Sequence, residues 1–189
     1  MSEQYYKTTE SVEEYIKLAK DVNGAELIDK LKIFLPIGAT VLEIGTGPGS
    51  DWEILNEDYS VTGSDFSVQF LERLIKKYPK GEFLELDATT LESDQQFDAI
   101  YSNKVMHHLK NDEIKASIQR QYELLNHNGI ICHSFWKGEG SEVFKGMFVN
   151  YHTIDALKTL FAPKYEILLM EDYNEFEDND SILLIAKKK

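Results

Sequence analysis

The sequence predicts a doubly wound α/β domain, with a mostly parallel sheet covered by helices on both faces and closed by an antiparallel hairpin. Three observations carry that reading. From Thr40 onward, strand-like apolar runs alternate with helix-like runs, the pattern of parallel strands joined by crossover helices. The last two β-type runs, residues 165–173 and 182–186, are separated only by the polar stretch 174–181, and a link that short without a helix joins antiparallel neighbours. The chain has 189 residues, 42% of them hydrophobic and 28% charged, which suits one globular domain with one substantial core.

The elements follow in order. Ser11-Val12-Glu13-Glu14 has capping-box spacing and predicts a first helix behind it. A second helix is expected over 25–34, stopped by Pro36, which cannot continue the ladder. These N-terminal helices, within residues 1–36, are expected to lie over the site of a core spanning 40–189. Residues 40–45 read as a buried strand, 50–57 as a helix and 60–65 as a second strand. Ser67 is placed to cap a helix in which Phe70, Leu71, Leu74, Ile75 and Tyr78 share a face. Strands are expected at 82–87, 97–102 and 129–135, and helices at 111–125 and around 153–161. Ile114, Ile118, Tyr122 and Leu125 form one stripe of the longer helix.

Composition narrows the function. A net charge of −13 and a pI near 4.8 argue against nonspecific binding to nucleic acid, which needs a positive surface. No apolar run approaches the ~18 residues of a membrane helix, and the first residues do not resemble a signal peptide. The lone Cys132 allows no internal disulfide. A soluble, cytoplasmic protein is expected.

The sharpest feature is Glu43-Ile44-Gly45-Thr46-Gly47-Pro48-Gly49-Ser50, where a predicted strand ends in a glycine loop and a helix begins. Glycines allow positive φ and let a ligand lie against the backbone. Asp65 ends the next strand, 20 residues beyond Gly45, the offset at which an acid accepts hydrogen bonds from a ribose diol. A bare βα turn would explain the glycines alone; the acid adds a nucleoside-type ligand. The spacing is G-x-G-x-G rather than the dinucleotide G-x-G-x-x-G/A. Glu43 beside the loop disfavours a pyrophosphate and suits a cationic group such as an ammonium or sulfonium.

These segments resemble the class I S-adenosylmethionine-dependent methyltransferases. Glu43 to Gly49, with Gly45, Thr46, Gly47 and Gly49 in the loop, is similar to their first motif. Asp65-Phe66 resembles the ribose-binding acid and the apolar neighbour that packs on adenine. Asp87-Ala88 resembles the segment contacting the adenine amino group, and residues 97–103, ending in Asn103, the fourth-strand motif beside the methyl donor. Val105-Met106-His107-His108-Leu109 resembles the stretch that follows in small-molecule members. The resemblance covers roughly 40–189 and implies a Rossmann-like, seven-stranded sheet, S-adenosylmethionine as cofactor, S-adenosylhomocysteine as product and a small-molecule acceptor. Lys104 departs from the small or apolar residue expected there.

Methyl transfer from an activated sulfonium needs alignment first, and a general base only for an acceptor that must lose a proton. His107 and His108 are the candidates, with His107 expected to face the pocket. Tyr5, Tyr6, Trp136 and Tyr151 are candidate acceptor contacts. No metal site is expected, because neighbouring histidines do not share a helix face and no Cys/His cluster has zinc spacing. Cys132 and His133 read as core residues of a strand. The seven acids between Glu166 and Asp180, without Lys or Arg, read as a solvated hairpin. Fourth-strand residues Ser102-Asn103-Lys104-Val105 lack the N/D-P-P-Y/F pattern of nucleic-acid amino methylation, which again points to a small acceptor. Two alternatives stand beside this reading: an NAD-dependent oxidoreductase, and a non-catalytic protein that binds an adenosyl ligand.

Overall fold

The computed structural model describes Glu13, residues 23–144 and residues 146–189. The expected first helix and the candidates Tyr5 and Tyr6 lie outside the described residues. Seven strands form one sheet in the order β3-β2-β1-β4-β5-β9-β8. They are β1 (Thr40–Ile44), β2 (Ser60–Asp65), β3 (Glu82–Glu85), β4 (Phe97–Ser102), β5 (Leu125–Trp136), β8 (Tyr165–Tyr173) and β9 (Ser181–Lys188). β1 pairs in parallel with β2 on one side and β4 on the other. β9 runs antiparallel to both β5 and β8, so the expected terminal hairpin is present.

Alternation along the strands sorts the core into two layers. Leu42, Ile44, Ile100 and Ile131 face one cluster, with Ile114 and Ile118 of α4 (Asn111–Leu124) and Leu157 and Phe161 of α5 (Ile154–Phe161). Val41, Ala99, Tyr101 and Cys132 face the other, with Leu27, Ile28 and Leu31 of α1 (Ala25–Leu31) and Trp52 and Leu55 of α2 (Ser50–Asp58). Period-two strands with both faces buried need helices on both sides. Among the described residues, no helix is long and apolar enough to cross a membrane.

Several expectations need correction. α1 stops at Leu31, and β3 at Glu85. β5 starts at Leu125, directly after α4, because a register shift opposite Phe97–Ala99 takes up the extra residues and Asn128 adopts a φ of 62°, a bulge geometry that Asn tolerates. Ile75 is exposed (53%) while Phe70, Leu71 and Leu74 of α3 (Val68–Lys77) are buried; the buried stripe is narrower than the apolar one. Ser67 precedes α3, but its hydroxyl contacts Gln69 Oε1 at 3.2 Å rather than capping a backbone N–H. A short hairpin of β6 (Ser141–Phe144) and β7 (Met147–Asn150) was not legible at four residues per strand.

β9 carries the sheet's most buried run, with Ile182 to Ala186 at 0% exposure. Leu184→Ala should therefore cost about 2–5 kcal/mol in urea unfolding, whereas Ile75→Ala should stay within about 0.5 kcal/mol of the parent. Equal losses from the two would contradict this assignment of the core.

Candidate functional site

Strand order reverses between β1 and β4, since β2 and β3 lie on one side of β1 and β4 and β5 on the other. Ligands of open α/β sheets bind outside the carboxyl ends of the strands at such a switch point. A cavity opens there, lined by residues from the ends of β1 and β2 and from the segments that follow β1, β2, β3 and β4.

The loop after β1 is shaped by backbone geometry. Gly45 has φ 71°, and a Cβ there would lie 2.5 Å from Val105 Cγ2. Gly49 has φ 87° and abuts Leu74 in the same way; it begins α2. Thr46 N–H donates to the Ser64 carbonyl (2.8 Å) and ties the loop to β2. Asp65 completes the tie: Oδ2 accepts from Gly47 N–H at 2.9 Å and Oδ1 from Ser67 N–H at 2.8 Å. A carboxylate has about four acceptor sites, so two backbone bonds leave Asp65 able to accept from a ligand in the cavity it lines.

Burial pushes the Asp65 carboxyl up to about 6, against the pull of these backbone N–H groups. Glu43 is more perturbed. It does not line the cavity; it sits behind the loop, 3% exposed, and accepts the Thr46 hydroxyl. Burial first, then the neighbouring charge of Asp51, pushes its carboxyl up to about 8, with Asp65 adding to the rise and the Thr46 hydroxyl opposing it.

Of the residues chosen from sequence, Gly45, Gly47, Asp65, Phe66, Ala88, Asn103 and His108 line the cavity. Thr46 and Gly49 shape the loop behind it. Asp87 is exposed, and its Oδ1 accepts from Thr89 N–H at 2.6 Å. The two histidines exchange their expected places. Residues 106–108 form a single 3-10 turn, which puts His108 on the cavity wall and buries His107 at 3% exposure, its Nδ1 without a hydrogen-bond partner among the described residues. His108 Nδ1 lies 2.8 Å from the Phe148 carbonyl oxygen. A carbonyl only accepts, so Nδ1 carries the proton and Nε2 is the ring's free acceptor. Burial lowers the His108 pKa, and the Phe148 carbonyl opposes this.

Trp136 and Tyr151 meet different partners. The Tyr151 hydroxyl donates to Glu142 Oε1. Trp136 stacks with Phe176 and lies under Lys104 Nζ, 3.6 Å from the ring centroid. Lys104 lines the cavity with φ 55°, and Nζ also bonds the Phe135 carbonyl and the Ser181 hydroxyl. Burial lowers its pKa to about 8, while Glu175 and Asp180 act in the other direction. The acidic stretch read as a solvated hairpin is the β8–β9 hairpin with a mostly exposed tip, where Asp180 accepts from three successive backbone N–H groups, Glu175 to Glu177, and Phe176 stacks with Trp136. Sequence reasoning also passed over Asp51, which is buried and bonds Tyr101 and Asn103. Among the described residues, no three His, Cys, Asp or Glu side chains are grouped to hold a metal ion.

Residues 41–129 match the family model described as "Methyltransferase domain". That segment is similar to a methyltransferase domain. Its fold is shared with solved S-adenosylmethionine-dependent methyltransferases along nearly the whole chain. A 1,6-didemethyltoxoflavin-N1-methyltransferase from Burkholderia thailandensis, solved with 1,6-didemethyltoxoflavin and S-adenosylhomocysteine, superposes with a TM-score of 0.82 at 19% identity, over 95% of this chain and 84% of that one. A TehB-like methyltransferase from Corynebacterium glutamicum gives 0.76 at 20% identity, over 96% and 100%. The N-methyltransferase NodS from Bradyrhizobium japonicum, solved with S-adenosylhomocysteine, gives 0.71 at 14% identity, over 99% and 96%. The matched segment contains the glycine loop, Asp65, Asn103 and His108.

The two raised carboxyl groups fix a pH dependence. A folded-state value above the unfolded one means the folded chain binds more protons, so the stability these groups contribute is present at low pH and lost as pH rises through about 6 and 8. Glu43→Gln keeps an acceptor for Thr46 but cannot ionise. Its melting temperature should gain on the parent's between pH 5 and pH 8.5; a constant difference over that range would contradict the burial of an uncompensated carboxyl group.

Proposed function

We propose that this enzyme transfers the methyl group of S-adenosylmethionine to a small-molecule acceptor. The observation that carries the reading is the Asp65 carboxyl group, held by the glycine loop and by Ser67 N–H at the wall of a switch-point cavity. The chain's own residues fit the cofactor. Asp65 would take the ribose hydroxyls, and Phe66, Leu86 and Ala88 supply apolar surface for the adenine. Glu43, Asp51 and Asp65 form a buried acidic group behind and beside the loop, with no salt-bridge partner among the described residues. A cationic ligand compensates such a group; a pyrophosphate would worsen it. When bound, the cofactor supplies a methyl group already activated on a sulfonium.

The protein's part is then alignment in a water-poor pocket. Asn103, Lys104 and Val105 form the wall after β4, and His108 follows on the same cavity. With Nδ1–H committed to Phe148, His108 Nε2 is the group that would take a proton from an acceptor hydroxyl or N–H. His107, buried and not lining the cavity, is not assigned that role. A net charge of −13 supports a small acceptor over nucleic acid, and the single, free, buried Cys132 is compatible with a cytoplasmic setting. The Burkholderia thailandensis methyltransferase, solved with the small molecule 1,6-didemethyltoxoflavin, supports the same class.

Thermal melts test the cofactor. S-adenosylhomocysteine at a hundred times its dissociation constant should add about 2.7 kcal/mol, a shift of several degrees for a domain of this size, and NAD should add none. A shift with NAD alone, or with neither, would overturn the reading. Asp65→Ala should abolish most of the adenosyl shift. Once an acceptor is in hand, His108→Ala should lower kcat by about 10²-fold or more with S-adenosylhomocysteine affinity retained; an unchanged kcat would remove His108 as the base.

A further inference from the structure

Asp51 sits in the first turn of α2, where an acid ordinarily does no more than complement the helix dipole. Here it is buried, and three donors converge on its carboxyl group. Gly24 N–H reaches Oδ1 at 2.6 Å, and the Tyr101 hydroxyl and Asn103 Nδ2 reach Oδ2 at 2.7 and 3.1 Å. These donors come from the entry to α1, from β4 and from the turn after β4. The position is full as well as bonded: a Cβ on Gly24 would lie 2.1 Å from the Tyr101 hydroxyl and 2.7 Å from Asp51 Oδ2.

The bond from Asn103 belongs to a directed chain. The backbone N–H of Lys104 donates to Ser134 Oγ at 2.8 Å. An N–H can only donate, so the Ser134 hydroxyl proton is free to go to Asn103 Oδ1, 2.6 Å away. The carboxyl group of Asp51 then receives the amide end. Asn103 is thus held from both sides with its oxygen toward Ser134 and its nitrogen toward Asp51. Lys104 adopts a left-handed φ of 55°, unfavourable for a lysine, and the same chain secures it. Asn103, Lys104 and Val105 form the part of the cavity wall that follows β4.

We propose that Asp51 is a positioning residue of the cofactor site, which acts by holding the Asn103 amide and, with it, the 103–105 wall. The proposal rests on the cofactor reading above. It separates Asp51 from the residues that touch ligand, since Asp51 itself does not line the cavity.

The test is a double-mutant cycle on the full chain, with S-adenosylhomocysteine titrated by calorimetry and urea unfolding run in parallel. Asp51→Asn should weaken binding about 10-fold in the parent, within the range of coupled neighbours. In an Asn103→Ala background, the same substitution should change binding by less than about 2-fold. An equal fold-loss in both backgrounds means that Asp51 supports the fold generally, and overturns the proposal. Should Asp51→Asn lack a cooperative urea transition, Ser134→Ala releases the other end of the amide without touching α1. It should weaken binding in the parent and not in Asn103→Ala, and full affinity in Ser134→Ala would overturn the proposal. A parent chain that binds no S-adenosylhomocysteine would instead remove the cofactor reading itself.

Discussion

The Asp65 carboxyl group is the constraint from which the rest of the site follows. It ends β2, yet its two backbone bonds reach Gly47 in the loop after β1 and Ser67 before α3. One side chain therefore sets the spacing between two neighbouring strand ends. That spacing fixes how the glycine loop lies over the switch point, and the loop in turn starts α2 at Gly49. Burial makes the arrangement costly, as the raised pKa values of Asp65 and Glu43 show. A fold that keeps acids buried without cationic partners trades stability for a site suited to a positively charged ligand.

The second half of the site depends on β4 and β5. Ser102 and His133 bond across these strands at 2.8 Å, and His133 continues to Gln121 of α4 at 2.8 Å. Full burial holds His133 down to about 3, so it is a neutral structural bridge. It anchors the carboxyl end of β4, from which Asn103 and Lys104 project. The two halves of the cavity thus meet at one turn, with strands on either side, as a site requiring alignment demands.

Much of this was legible in the sequence, for identifiable reasons. β2 and β4 agree with their expected limits, and the glycine loop with an acid 20 residues on has one good structural explanation. What escaped has reasons too. Periodicity could not separate His107 from His108, because a single 3-10 turn rotates adjacent side chains by about 120° and leaves no sequence signature in three residues. Asp51 looked like an ordinary helix-start acid; only its burial against Gly24, Tyr101 and Asn103 distinguishes it. The acidic hairpin was expected, but nothing in the sequence marked Asp180 as the residue whose bonds to three backbone N–H groups shape its tip so that Phe176 reaches Trp136.

The account stands or falls on where an adenosyl ligand lies. A crystal structure of the protein with S-adenosylhomocysteine observes this directly. The account predicts density in the switch-point cavity, with both ribose hydroxyls on Asp65 and the adenine between Phe66 and Ala88. Density elsewhere on the molecule, or in the cavity with the ribose away from Asp65, would contradict it.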